Sequence, residues 1–142
     1  MAAISLIRIH HYTGQKSYRD KAEETLETFA GVAEQFGIFA ATFGIAVLHY
    51  LEDPVQVVVV SSADDKKAPE LLDAAIKPFG FNKTVLLINR SQAVEENLPP
   101  VLAETIPKLP QMPEKRSLAV VCSGTSCRPP VFNAADLALA MD

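Results

Sequence analysis

The chain has 142 residues, a net charge of −4, 49% apolar content and ten prolines. That describes one domain, or one domain and a piece of another, with enough apolar residues for a real core. The acidic balance and the scatter of its thirteen lysines and arginines exclude a nucleic-acid groove or a polybasic membrane surface, both of which need clustered cations. The longest apolar run, Ile38 to Leu51, is interrupted by Thr42 and His49 and falls short of the ~18 residues of a membrane span. The start, M-A-A-I-S-L-I-R-I-H-H, lacks the basic leader of a secretory signal. A cytoplasmic location is expected, where two cysteines read as thiols rather than as a structural disulfide.

Ala2 to Tyr12 predicts a helix with Ile4, Leu6, Ile7 and Ile9 as its apolar residues, ended at Gly14. Ser17 is placed to cap a second helix, along which Tyr18, Ala22, Leu26, Phe29, Ala33 and Phe36 recur at spacings of three and four until Gly37. Its other face, with Glu23, Glu24 and Glu27, reads as solvated. Ile38 to Leu51 predicts a third helix, apolar nearly all round and therefore in need of cover on most sides. Asp53-Pro54 stops it.

Val55 to Val60 is too apolar for a half-exposed strand and predicts a central, parallel one. A loop with Ser61, Ser62, Asp64 and Asp65 leads to a helix from Ala68 to Phe79, with a core stripe of Leu72, Ala75, Ile76 and Phe79. Thr84 to Ile88 predicts the second strand of a right-handed βαβ unit. Leu98-Pro99-Pro100 opens a short helix to Ile106, and Pro107, Pro110 and Pro113 space a loop to a third strand at Leu118. Asn133 caps a last helix, Ala134 to Met141. The expected fold is α/β: three N-terminal helices over residues 1–53, and a three-stranded, mainly parallel sheet with flanking helices over residues 54–142.

Both cysteines lie in A-V-V-C-S-G-T-S-C-R-P-P-V, in the loop expected to leave the third strand. Open α/β sheets build their sites at such strand ends. Cys122 and Arg128 have the C-x5-R spacing of phosphatases in which a cysteine thiolate attacks a phosphoryl group held by backbone N–H groups and the arginine. V-C-S-G-T-S-C-R-P-P is close to the V-C-x-G-N-x-C-R-S-P of low-molecular-weight phosphotyrosine phosphatases. Against that reading, Thr125 replaces the loop's Asn, and Pro129-Pro130 deprives a following helix of free N–H groups. A redox pair of Cys122 with Cys127 is a second alternative. The structural reading has Cys122 as a small buried hydrophobe and Cys127 as a loop residue. His10, His11 and His49 lie on the N-terminal helices and no second cysteine knuckle exists, so no metal and no cofactor are expected.

Y-R-D-K-A-E-E-T-L (Tyr18 to Leu26), the passage from D-P into V-Q-V-V-V-V, L-P-P-V-L-A-E-T-I-P (Leu98 to Pro107) and the cysteine stretch resemble, in this order, a known family. This is the C-terminal region of the thioredoxin-domain proteins related to spermatogenesis-associated protein 20. The resemblance implies a parent with a thioredoxin-like domain, a central α/α barrel of the six-hairpin glycosidase type and a small α/β tail. Residues 1–53 would then be the last barrel helices, and the C-x4-C followed by proline a feature of the family pattern. This chain carries neither the thioredoxin-like region with its C-x-x-C nor most of the barrel, so no redox or glycan-directed activity transfers with it. The expectation is a non-catalytic structural or interaction module. Its partner would be the rest of such a parent or a second copy, with no nucleic acid and no membrane. The enzymatic alternative rests on Cys122, Cys127 and Arg128.

Overall fold

The fold is that of a computed structural model, which describes residues 2–63, 65–109, 115–124 and 126–141, with nothing described of the Val101 side chain. The expected loop prolines Pro110 and Pro113, Asp64 of the acid pair and Thr125 of the cysteine loop lie outside the described residues. The chain divides into two compact units, Met1–Asp53 and Pro54–Asp142.

The first unit is helical. Helix α1 (Ala2–Thr13) ends at Gly14, whose φ of 68° lets its N–H reach the His10 carbonyl at 2.8 Å. Helix α2 (Lys16–Ala30) begins one residue before Ser17, behind Gln15, so the expected serine cap is absent. It also stops seven residues before Gly37. Gly31 carries a propensity cost of about 1 kcal/mol, and Phe29 and Phe36, the last large residues of the expected stripe, are exposed. Tertiary packing supplies most of a helix's stability, and here the stripe has none to continue on. Residues Ala33–Ala40 instead form a 3-10 segment, broken at Gly37 (φ 52°, ψ −126°), and α3 spans only Ala41–Leu51. By length and composition Ala33–Leu51 suffices to cross a membrane. The break at Gly37 leaves α3 about 16 Å long at 1.5 Å per residue, half of a ~30 Å hydrocarbon core. Ala3, Leu26 and Ala46 form the core of the unit, with Ile4, Phe43, Val47 and Tyr50 packed at its edge.

The second unit is mixed α/β. Its sheet has four strands in the order β2-β1-β3-β4, namely β1 Val55–Ser61, β2 Lys83–Asn89, β3 Leu118–Ser123 and β4 Ser126–Cys127. Strand β1 runs parallel to β2, from Val55 opposite Lys83 to Ser61 opposite Asn89, and antiparallel to β3, with Val58 opposite Val120. The expected three-stranded, mainly parallel sheet is thus corrected to four strands with a single parallel pair. Alternation along central β1 feeds two layers. Val57 and Val59 pack with Leu71 and Ala75 of α4 (Ala68–Ile76) and Leu137 of α6 (Ala134–Met141). Val58 and Val60 pack on the other face with Leu118, Val120 and Cys122, under Leu102 of α5 (Pro100–Thr105) and Ile106.

Helix α4 ends at Ile76 rather than Phe79 because Pro78 follows. Lys77 still has helical angles and gives its N–H to the Asp73 carbonyl, but the proline ring has no N–H with which to extend the helix. Its buried face is Ala68, Leu71 and Ala75, whereas Ile76 and Phe79 of the expected stripe are exposed. The Lys83 ammonium donates to the carbonyls of Ala75 (2.7 Å), Ile76 (3.3 Å) and Pro78, a cation on the negative end of the helix. Asn133 caps α6 as expected, with its Oδ1 accepting from the Asp136 N–H at 2.9 Å.

Candidate functional site

The cysteine stretch folds as a hairpin. Strand β3 turns through Gly124, whose φ of 55° suits a two-residue hairpin connection, and returns as β4 with Ser126 opposite Ser123 and Cys127 opposite Cys122. The Arg128 N–H donates to the Val121 carbonyl at 2.8 Å, so the neighbouring Cys122–Cys127 pair occupies a non-hydrogen-bonded site, where side chains of facing strands lie closest. The two sulfurs are joined as a disulfide across 4.0 Å between Cα atoms. The expectation of two thiols is corrected. Cys122, 1% exposed, belongs to the core layer beneath α5, while Cys127 is half-buried beside it.

Beyond the pair the strand cannot continue regularly, because Pro129 and Pro130 have no N–H to give. Pairing resumes only at Val131, which exchanges both backbone bonds with Ala119 at 2.8 and 2.9 Å. This geometry separates the residues that the phosphatase reading needs together. Paired residues of facing strands share a face and neighbours along a strand alternate. Arg128, opposite Val121, therefore lies on the α6 face, while the Cys122 sulfur lies on the α5 face. The guanidinium reaches the Leu139 carbonyl near the end of α6 at 3.5 Å. With the sulfur bonded and the arginine on the other side of the sheet, no thiolate–arginine cradle exists. On the α6 face Arg128 borders a shallow hollow of about 260 Å³ with Ser123, Ser126, Val55, Val121, Ala140 and Met141.

The loop after β1 is tied to neighbouring segments by side-chain hydrogen bonds. Ser61 Oγ donates to the Ile88 carbonyl at 3.2 Å, and Ser117 Oγ accepts from the Ser62 N–H at 3.1 Å. The Asp65 carboxylate accepts from the Ser117 N–H at 2.6 Å and the Lys67 N–H at 3.0 Å. Those two donors, Ser117 first, hold its pKa below the ordinary carboxylate value.

In the helical unit, His10 and His11 lie half-buried on α1 and His49 is buried on α3. With Arg19, Tyr50, Glu52 and Asp53, the first two line a small polar hollow of about 40 Å³. The Arg19 guanidinium stacks 5.1 Å above the Tyr50 ring. Burial lowers the His11 pKa, and repulsion from His10, Arg19 and His49 lowers it further against the weaker pull of Asp53. Among the described residues no group of His, Cys, Asp and Glu could hold a metal ion.

The same unit has a second hollow, which the sequence reading passed over because Glu23, Glu24 and Glu27 read simply as a solvated face. Leu26 and Ala30 of α2 and Phe43, Val47 and Tyr50 of α3 form an apolar groove of about 210 Å³, with Glu23 and Glu27 along its rim. The available signal was the i, i+4 repetition of each pair on neighbouring helices.

No protein-family model, no curated protein and no solved structure matches the chain.

Proposed function

We propose that this chain is a non-catalytic interaction module, whose helical unit docks on further helices of a larger assembly. The assembly is of the kind its sequence resembles, the C-terminal region of a thioredoxin-domain, six-hairpin-glycosidase-like protein. The observation that carries the reading is the exposure of large apolar side chains around the Gly37 break. Ile38 is 84% and Phe39 86% exposed, with Phe29 and Phe36 more than half exposed. Scattered exposed hydrophobes are ordinary, but four within eleven residues of one short segment form the kind of surface that a partner covers. The separation of Cys122 from Arg128 supports the non-catalytic part of the reading.

The test is light scattering of the full chain over a range of concentrations, with binding of an apolar-surface dye. Without its partner the chain self-associates with rising concentration and enhances the dye. Phe36→Glu with Phe39→Glu, at positions with no core role, abolishes both. A chain that stays monomeric at high concentration and leaves the dye dark overturns the reading.

A further inference from the structure

The groove between α2 and α3 specifies more than an apolar partner. Three i, i+4 pairs run side by side along it: Glu23 with Glu27, Leu26 with Ala30, and Phe43 with Val47. Rows of this spacing are the ridges between which another helix seats its own. Leu26 forms the floor, Phe43 and Val47 are half-buried walls, and exposed Ala30 is small enough to let a neighbouring backbone approach. The volume of about 210 Å³ exceeds the ~150 Å³ that admits a benzene ring, so a leucine or phenylalanine side chain fits as an anchor.

The rim adds charge. Glu23 and Glu27 are exposed and form no ion pair among the described residues. Like charges four apart on one helix repel, a local cost that a cation lying across both would turn into attraction. We infer that the groove seats an amphipathic helix that anchors an apolar side chain between Leu26 and Phe43 and carries lysine or arginine along the flank facing Glu23 and Glu27. The inference rests on the docking reading above and names the partner's chemistry.

The probe is a fluorescent 18-residue amphipathic peptide of leucine and lysine, with a leucine–glutamate counterpart, titrated with the full chain at low and high salt. The leucine–lysine peptide binds saturably and the counterpart does not. Glu23→Gln with Glu27→Gln weakens binding about tenfold, as expected for two rim ion pairs, and flattens the salt dependence. Ala30→Leu, at an exposed position, fills the groove and removes binding with the charges intact. Glu95→Gln with Glu104→Gln, the same charge change in the other unit, has no effect. Equal binding of both peptides, or equal weakening by the rim and the distant pairs, overturns the inference as diffuse attraction to an acidic chain. Loss of self-association in Ala30→Leu overturns it in favour of a second copy. Null peptide results beside the Phe36 and Phe39 effects reject the partner chemistry and leave the docking reading intact.

Discussion

The two units differ in the apolar residues that they seal from water. The α/β unit places its valines and leucines on both faces of a central strand, where Val57 to Val60, Leu71, Leu102, Leu118 and Leu137 are sealed from water. The helical unit seals mainly small residues, with Ala3, Ala22 and Ala46 beside Ile7 and Leu26, and leaves Phe29, Phe36, Ile38 and Phe39 outside. A strand buried on two faces satisfies its backbone and its side chains together. Three short helices have more apolar surface than they can bury on one another. Each unit also leaves large apolar side chains in water, Ile76, Phe79 and Leu139 in one and Phe36, Ile38 and Phe39 in the other, but only the α/β unit seals large side chains on both faces of a strand.

The largest effect should come from the sealed core. Leu71→Ala removes a fully buried side chain between α4 and the sheet and should cost about 2–5 kcal/mol in urea unfolding. Leu26→Ala, on the floor of an open groove that water can fill, should fall at or below the low end of that range. Equal losses would break the contrast between the units.

Reduction of the Cys122–Cys127 bond is the intermediate case. The bond closes a loop of only a few residues, for which chain entropy gives about 2 kcal/mol. The loss should be confined to the α/β unit, seen as faster amide exchange along β3 and β4 with α1 to α3 unchanged. Loosening of the helices on reduction would contradict that confinement.

The smallest effect is acid loosening of the helical unit, which holds all three histidines. The His11 pKa is lowered on folding, so the folded state binds its proton less readily than the unfolded chain. Its contribution is fully present above the unfolded value near 6.5 and is lost as pH falls through that value toward the folded one. Protection of the helical amides, taken relative to their intrinsic exchange rate at each pH, should fall from pH 7 to pH 5 in the wild type and much less in His11→Gln, with the sheet indifferent. An unchanged slope in the variant would place the effect elsewhere.

Much of the α/β unit was legible in the order of residues. The run V-Q-V-V-V-V announces a strand covered on both faces. Asn133 marks the start of α6, because a cap bonds its own helix three residues on. The errors were of two kinds. Pro78 was a local signal overlooked, and it shortened α4 by three residues. The break of α2 at Gly31 was only partly local, since a glycine alone does not end a helix and the apolar stripe runs on to Phe36 with nothing to pack on. The candidate site divides in the same way. Spacing placed Cys122 and Arg128 in one short stretch, but a hairpin sends them to opposite faces of a sheet.

What the sequence determined by itself were features whose partners lie within a few residues: the Gly14 end of α1, the Asn133 cap of α6 and the apolar run of β1. The tertiary structure alone decided the direction of β3 against β1, the fourth strand, the cysteine bond and the groove beside Glu23 and Glu27. Each of those depends on which distant segments meet, and periodicity along a chain carries no information about what lies across from it.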